Sequence, residues 1–172
     1  MVKKGINKIA VQVYRFSSGS WLEDQDYWRF SGIFRDVELL FVPKTNLSDL
    51  RVQTLLKNNY SEAFVEVDLN LIGQLEKSVV KMTLYDDSKP LSVVELVGKD
   101  ELHTSINVKE PKLWSAESPN LYHLVIEIIK NDVLVEVCKQ VVGIREFKII
   151  DGIMCINGKR IVFHGVNRHE FS

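Results

Sequence analysis

From residue 66 onward the chain alternates apolar and polar side chains with a period of two, and that alternation restricts what it can become. Val67, Leu69 and Leu71 interleave with Glu66, Asp68 and Asn70. Successive side chains of an extended strand point to opposite faces, so such a run buries one face and wets the other. The same holds for Val80, Met82 and Leu84, for Leu102, Thr104, Ile106 and Val108, and for Tyr122, Leu124, Ile126 and Ile128. A β-rich run follows at 133–142, and helical 3.6 spacing is hard to find anywhere. Turn-forming clusters separate the runs: Asp86-Asp87-Ser88-Lys89-Pro90, Gly98-Lys99-Asp100, Ser118-Pro119-Asn120 and Asn131-Asp132. Short strands at near-regular intervals predict an all-β chain built on an immunoglobulin-like antiparallel β-sandwich at residues 45–145, with partial β segments on either side.

The flanks read differently. Residues 6–15 read as a strand with no turn or cap before it, as though the chain began inside a sheet. At the other end Asp151-Gly152 and Asn157-Gly158 are strong hairpin signals, because both central residues of such a turn take positive φ. They predict that 147–150, 153–156 and 160–163 fold back on one another. The chain then runs into a dense polar cluster, Asn167-Arg168-His169-Glu170, and both ends read as cuts through larger structures.

Composition removes several classes of function. The 172 residues carry 22 basic and 23 acidic side chains, a net charge of −1, which gives no electrostatic case for nucleic acid. Cys138 and Cys155 are the only cysteines, too few for a disulfide framework or a metal set. Neither a signal-peptide run near the start nor a membrane-length apolar window is present, so the expectation is a soluble, cytoplasmic protein.

The chemistry-bearing residues lie outside the alternating runs. Residues 21–36 hold Trp21, Glu23, Asp24, Asp26, Tyr27, Trp28, Arg29, Phe30, Gly32, Arg35 and Asp36. Asp24 and Asp26, two apart, project from one side of an extended segment, and Glu23 with Asp26 makes a second carboxylate pair. Such a stretch is either a solvated acidic loop with rim aromatics or a sugar-binding surface. The second cluster follows the apolar Ile161-Val162-Phe163, and polar residues just past the C-terminal end of a strand are where α/β barrels keep their chemistry. His103 and His123 sit on strand faces with no second ligand at metal spacing. There is no G-x-S-x-G, no glycine-rich phosphate loop and no H-E-x-x-H.

Three segments share one resemblance. Residues 20–37, read as Ser-Trp-Leu-Glu-Asp-Gln-Asp-Tyr-Trp-Arg-Phe-Ser-Gly-Ile-Phe-Arg-Asp-Val, resemble a signature of the bacterial β-galactosidases of glycoside hydrolase family 2. Residues 113–122, Leu-Trp-Ser-Ala-Glu-Ser-Pro-Asn-Leu-Tyr, with Gly143-Ile144-Arg145 after them, agree with it. So do Ile156-Asn157-Gly158-Lys159-Arg160 and Gly165-Val166-Asn167-Arg168-His169-Glu170. The first segment is specific to the galactosidase branch; the others are shared with β-glucuronidases and β-mannosidases.

The resemblance implies a layout: residues 1–44 as the last strands of a sugar-binding jelly-roll domain, 45–145 as the sandwich, and 146–172 as the opening of a catalytic barrel. It implies that Asp26 contacts the galactosyl hydroxyls and helps to ligate Na+, that His169 stabilises the transition state, and that the parent also uses Mg2+. The implied reaction is retaining hydrolysis of terminal β-D-galactosides by a homo-oligomeric parent. The two glutamates that act as acid/base and nucleophile have no match in this chain. The expectation is therefore a structural piece, inactive alone and needing no cofactor. A stand-alone immunoglobulin-like binding module explains the strands equally well but not the flanking motifs, and a family member acting on a glucuronide or mannoside is the remaining alternative.

Overall fold

A computed structural model describes residues 3–22, 32–33 and 35–167. The chain divides into two units, Met1–Leu40 with His164–Ser172, and Phe41–Phe163.

The second unit is the β-sandwich with a small sheet beyond it. One sheet is built from β1 (Asn46–Lys57), β2 (Glu62–Ile72) and β5 (Glu101–Lys109), in the order β1-β2-β5. The other holds β3 (Ser78–Asp86), β4 (Lys89–Val97), β6 (Tyr122–Lys130) and β7 (Val133–Val142), in the order β4-β3-β6-β7. All pairings are antiparallel. The chain crosses between sheets after β2, after β4 and after β5, the connectivity of a seven-stranded immunoglobulin-like sandwich.

The alternating runs supply the core. Val67, Leu69 and Leu71 from β2 meet Val80, Met82 and Leu84 from β3, Ile106 and Val108 from β5, and Tyr122, Leu124, Ile126 and Ile128 from β6. The interleaved polar residues of β2 and β6 lie on the more exposed faces, as the register demands, while on β3 Lys81 does so and Thr83 is covered.

Two strands escaped the alternation argument. β1 places Leu47, Leu50, Val52 and Leu56 on the core, but a bulge between Leu47 and Asp49 breaks the period where a reader would look for it. β4 turns Val93 and Val97 to its exposed face, so it shows no clean polar side. Both are edge strands. Pro90, which has no N–H, lies on edge strand β4 beside a bulge between Leu84 and Tyr85, where a proline costs no ladder bond to a further strand.

The turns behave as their residues require. Asn131 and Asp132 (φ 48° and 61°) close β6 onto β7. Asp151 and Gly152 (φ 49° and 76°) and Asn157 and Gly158 (φ 50° and 74°) close β8 (Phe147–Ile150), β9 (Ile153–Ile156) and β10 (Lys159–Arg160) into a third sheet, ordered β10-β9-β8. The last strand is shorter than the 160–163 expected, because only Lys159 and Arg160 pair with β9.

Among the described residues of the first unit there is one helical turn, Ser18–Leu22, and no strand. Residues 6–15, read from sequence as a strand, form no ladder. A strand exists by pairing, and here Ile6, Ile9, Val11 and Val13 have no sheet to enter and stay exposed. Asn7 instead folds the start of the chain on itself, its amide donating to the Lys3 and Gly5 carbonyls at 2.8 and 2.9 Å. No helix among the described residues is long and apolar enough to cross a membrane.

Candidate functional site

Both residues singled out for chemistry, Asp26 and His169, lie outside the described residues, as do Glu23, Asp24, Tyr27, Trp28, Arg29, Phe30, Arg168 and Glu170. Of that set the structure places Gly32, whose φ of 90° fits the turn expected of it, and Arg35, Asp36 and Asn167 in irregular, exposed chain. Among the described residues no group of three or more His, Cys, Asp or Glu side chains is placed to hold a metal ion.

The two strand histidines differ from each other. His103 on β5 lies over β2, with Nδ1 2.7 Å from Asp68 Oδ1 and Nε2 3.3 Å from Glu66 Oε2. Ser105 Oγ donates to Glu66 Oε1 at 2.7 Å. Histidine, carboxylates and a hydroxyl are thus together, but the hydroxyl is bonded to Glu66 and not to the imidazole. His103 is not set to take its proton, so the group is an ion cluster on a wet sheet face and not a nucleophile with its base. His123 on β6 has a buried Nδ1 with no hydrogen-bond partner.

Polar contacts gather where the chain enters and leaves the sandwich; sequence reasoning passed over the entry, and quoted the words at the exit without foreseeing that they meet. At the entry, Lys130 Nζ reaches the Gln74 carbonyl at 2.8 Å and Thr45 Oγ1 at 3.4 Å, while Thr45 Oγ1 donates to the same carbonyl at 3.0 Å. The Leu47 N–H donates to Glu136 Oε2 at 2.7 Å, joining β1 of one sheet to β7 of the other by a charge-assisted bond. Gly73 (φ 109°) lies so close to the Lys44 carbonyl that no side chain fits between them.

At the exit, residues 143–146 are gripped from three sides. The Trp114 N–H donates to the Ile144 carbonyl at 2.8 Å, and Thr54 Oγ1 to the Arg145 carbonyl at 3.0 Å. The Arg145 guanidinium stacks 4.4 Å from the centre of the Trp114 ring, and that ring stands 3.2 Å from where a Cβ on Gly143 would be. Asn157 closes the third side: its Oδ1 accepts from the Glu146 N–H at 2.9 Å, its own N–H donates to the Glu146 carbonyl at 2.9 Å, and its Nδ2 donates to the Trp114 carbonyl at 3.0 Å. Glu146 pairs with Lys148 at 2.7 Å, and that hydrogen bond raises the Lys148 pKa above 10.5. The loop that carries Trp114 is tied in turn. Tyr122 Oη accepts from the Lys112 N–H at 2.8 Å, and Lys112 Nζ pairs with Asp86 at 2.8 Å, which raises the lysine pKa. The Leu-Trp-Ser-Ala-Glu-Ser-Pro-Asn-Leu-Tyr, Gly-Ile-Arg and Ile-Asn-Gly words of the sequence thus meet in one place, as parts of a joint.

Residues 45–145 match the pattern of glycosyl hydrolases family 2, residues 1–43 its sugar binding domain, and residues 147–172 its TIM barrel domain. The chain belongs to glycosyl hydrolases family 2. It is 45% identical over 173 residues to a β-galactosidase of Clostridium acetobutylicum, a match that covers 99% of this chain and 19% of that protein. It is 44% identical over 171 residues to a β-galactosidase of Streptococcus thermophilus, covering 98% of this chain and 17% of that one. The chain therefore spans less than a fifth of the length of the curated relatives it matches. Among solved structures, β-glucuronidase 3 of Bacteroides uniformis superposes with a TM-score of 0.74 at 23% identity, over 84% of this chain and 18% of that one, a likeness of fold.

Proposed function

We propose that this chain is a part of a β-galactosidase, and that its own task is to hold the sugar-binding domain and the catalytic barrel at a fixed spacing. The observation that carries the reading is identity above 40% to β-galactosidases along nearly the whole chain, including the two polar segments that no packing argument explains. On this reading residues 1–44 close the sugar-binding domain, 45–145 are the spacer and 146–172 open the barrel.

The whole protein then hydrolyses terminal β-D-galactosides with retention. One glutamate attacks the anomeric carbon while another protonates the leaving oxygen and later activates water. Neither glutamate has a counterpart in this chain. Asp26 orders the galactosyl hydroxyls and shares in binding Na+, and His169 bears on the transition state; Mg2+ is held elsewhere. The protein is cytoplasmic and its assembly a homo-oligomer; the near-balanced charge of this chain, −1, gives it no attraction for nucleic acid.

The pure chain is expected to leave an aryl β-galactoside intact. The whole protein is expected to cleave it, with Asp26→Asn and His169→Asn each lowering kcat/KM by on the order of 10²-fold, as loss of a transition-state contact does. Turnover by the chain alone, abolished on changing Glu23 or Asp26, overturns the reading. One rival keeps the family and changes the sugar to a glucuronide. Preference of the whole protein for an aryl β-glucuronide would decide for it.

A further inference from the structure

The segment between β7 and β8 belongs to no strand and has nothing in its own backbone to keep it straight. Such a link ordinarily lets the sheets on either side swivel. Here its peptide groups are taken up one after another: Ile144 by Trp114, Arg145 by Thr54, Glu146 by Asn157. The first two partners belong to the sandwich, and the third belongs to the small sheet beyond. Two side chains connect the two sides: the Asn157 carboxamide accepts from the link through Oδ1 and donates to the Trp114 carbonyl through Nδ2, and the Glu146 carboxylate accepts from Tyr60 Oη at 3.4 Å and pairs with Lys148 at 2.7 Å.

We propose that Asn157 is a positioning residue, the pin of a rigid joint that fixes the direction in which sheet β8-β9-β10 leaves the sandwich. The chemistry is specific to the carboxamide. A carboxylate keeps the acceptor and loses the donor, leaving two oxygens facing each other at Trp114. Glycine keeps the turn, since Asn157 sits at a φ of 50°, and loses both bonds. Gly158 serves the same end: a Cβ there would lie 2.8 Å from Tyr60 Oη, so the β9–β10 turn rests flush on the sandwich. The consequence for catalysis rests on the function proposed above. Asn167 and His169 follow β10 closely in sequence, so the joint determines where that segment begins.

The joint is tested by amide residual dipolar couplings of the full 172-residue chain. In the wild type, couplings from β1 to β7 and from β8 to β10 fit one alignment tensor. In Asn157→Gly and in Asn157→Asp the sandwich couplings keep their tensor, and those of β8 to β10 lose it and shrink. Should the β9–β10 ladder itself open in the glycine variant, the aspartate variant, which keeps turn and acceptor, decides. Retention of a single tensor in the deciding variant overturns the proposal, as do two tensors in the wild type. A residue that only supported the fold would lower the melting temperature without separating the tensors. No sugar enters the measurement, so an error in the assigned substrate leaves its result untouched.

Discussion

Tyr122 meets two demands at once. Its ring lies in the core, 2% exposed, while its hydroxyl reaches out to accept the Lys112 N–H that anchors the loop carrying Trp114. Burial raises the phenol pKa above its ordinary 10.0, against the smaller opposing pull of that N–H. A group whose folded pKa lies above its unfolded one stabilises the fold fully below the unfolded value, and loses that contribution as pH climbs through the folded value. The sandwich is therefore expected to weaken above about pH 10, in the phenol's titration range. Tyr122→Phe is expected to cost about 1 kcal/mol at neutral pH for the lost hydrogen bond. It also flattens the alkaline decline in the urea midpoint. A parallel decline in both proteins would exclude Tyr122 as its source.

Among the strands of the sandwich, β2, β3 and β6 are paired on both sides, whereas β1, β4, β5 and β7 are edges. Amide exchange is expected to be slowest in the three central strands and fastest, within Phe41–Phe163, in the two-residue β10. Leu124→Ala, on β6 at 0% exposure, should cost about 2–5 kcal/mol by denaturant titration, while Val93→Ala on the outer face of β4 should move stability by less than about 0.5 kcal/mol. A similar loss in both would mean that the outer face of β4 is covered.

The same contrast explains what could be read in advance. Strands with one face fully buried carry a period of two that sequence displays, and the paired Asp-Gly and Asn-Gly turns display a φ that few other residues adopt. β1 hid behind its bulge at Ser48, and β4 behind valines on its exposed side. The joint was invisible for a different reason. Trp114, Arg145 and Asn157 come from three separate segments, and no spacing rule says that a carboxamide in a turn will bond a carbonyl 43 residues earlier. Of the residues predicted for chemistry, the motif words pointed to Asp26 and His169, and both lie outside the described residues.

At the scale of the molecule, Phe41–Phe163 holds all of the hydrophobic core among the described residues. A chain cut to those residues is expected to keep the melting transition and the exchange pattern of the full chain. A lower transition or a loss of protected amides in β2 would show that the removed residues contribute to the core. Entry and exit lie apart along β1 of the sandwich: Asn46 begins the strand, and Thr54 further along it bonds the Arg145 carbonyl at the exit. The stretch between them is about 26 Å at 3.3 Å per residue. The sandwich is thus a ruler whose length is written in the residue count of one strand. Residues added to the turn at 87–88 leave the spacing of the two marks as it is, whereas the turn at 58–61 carries Tyr60 against Gly158 and belongs to the exit. A pair added within β1 keeps every side chain on its face yet moves the marks about 7 Å apart. Variants of this chain are free to lengthen the β3–β4 turn and are held to the length of their first strand.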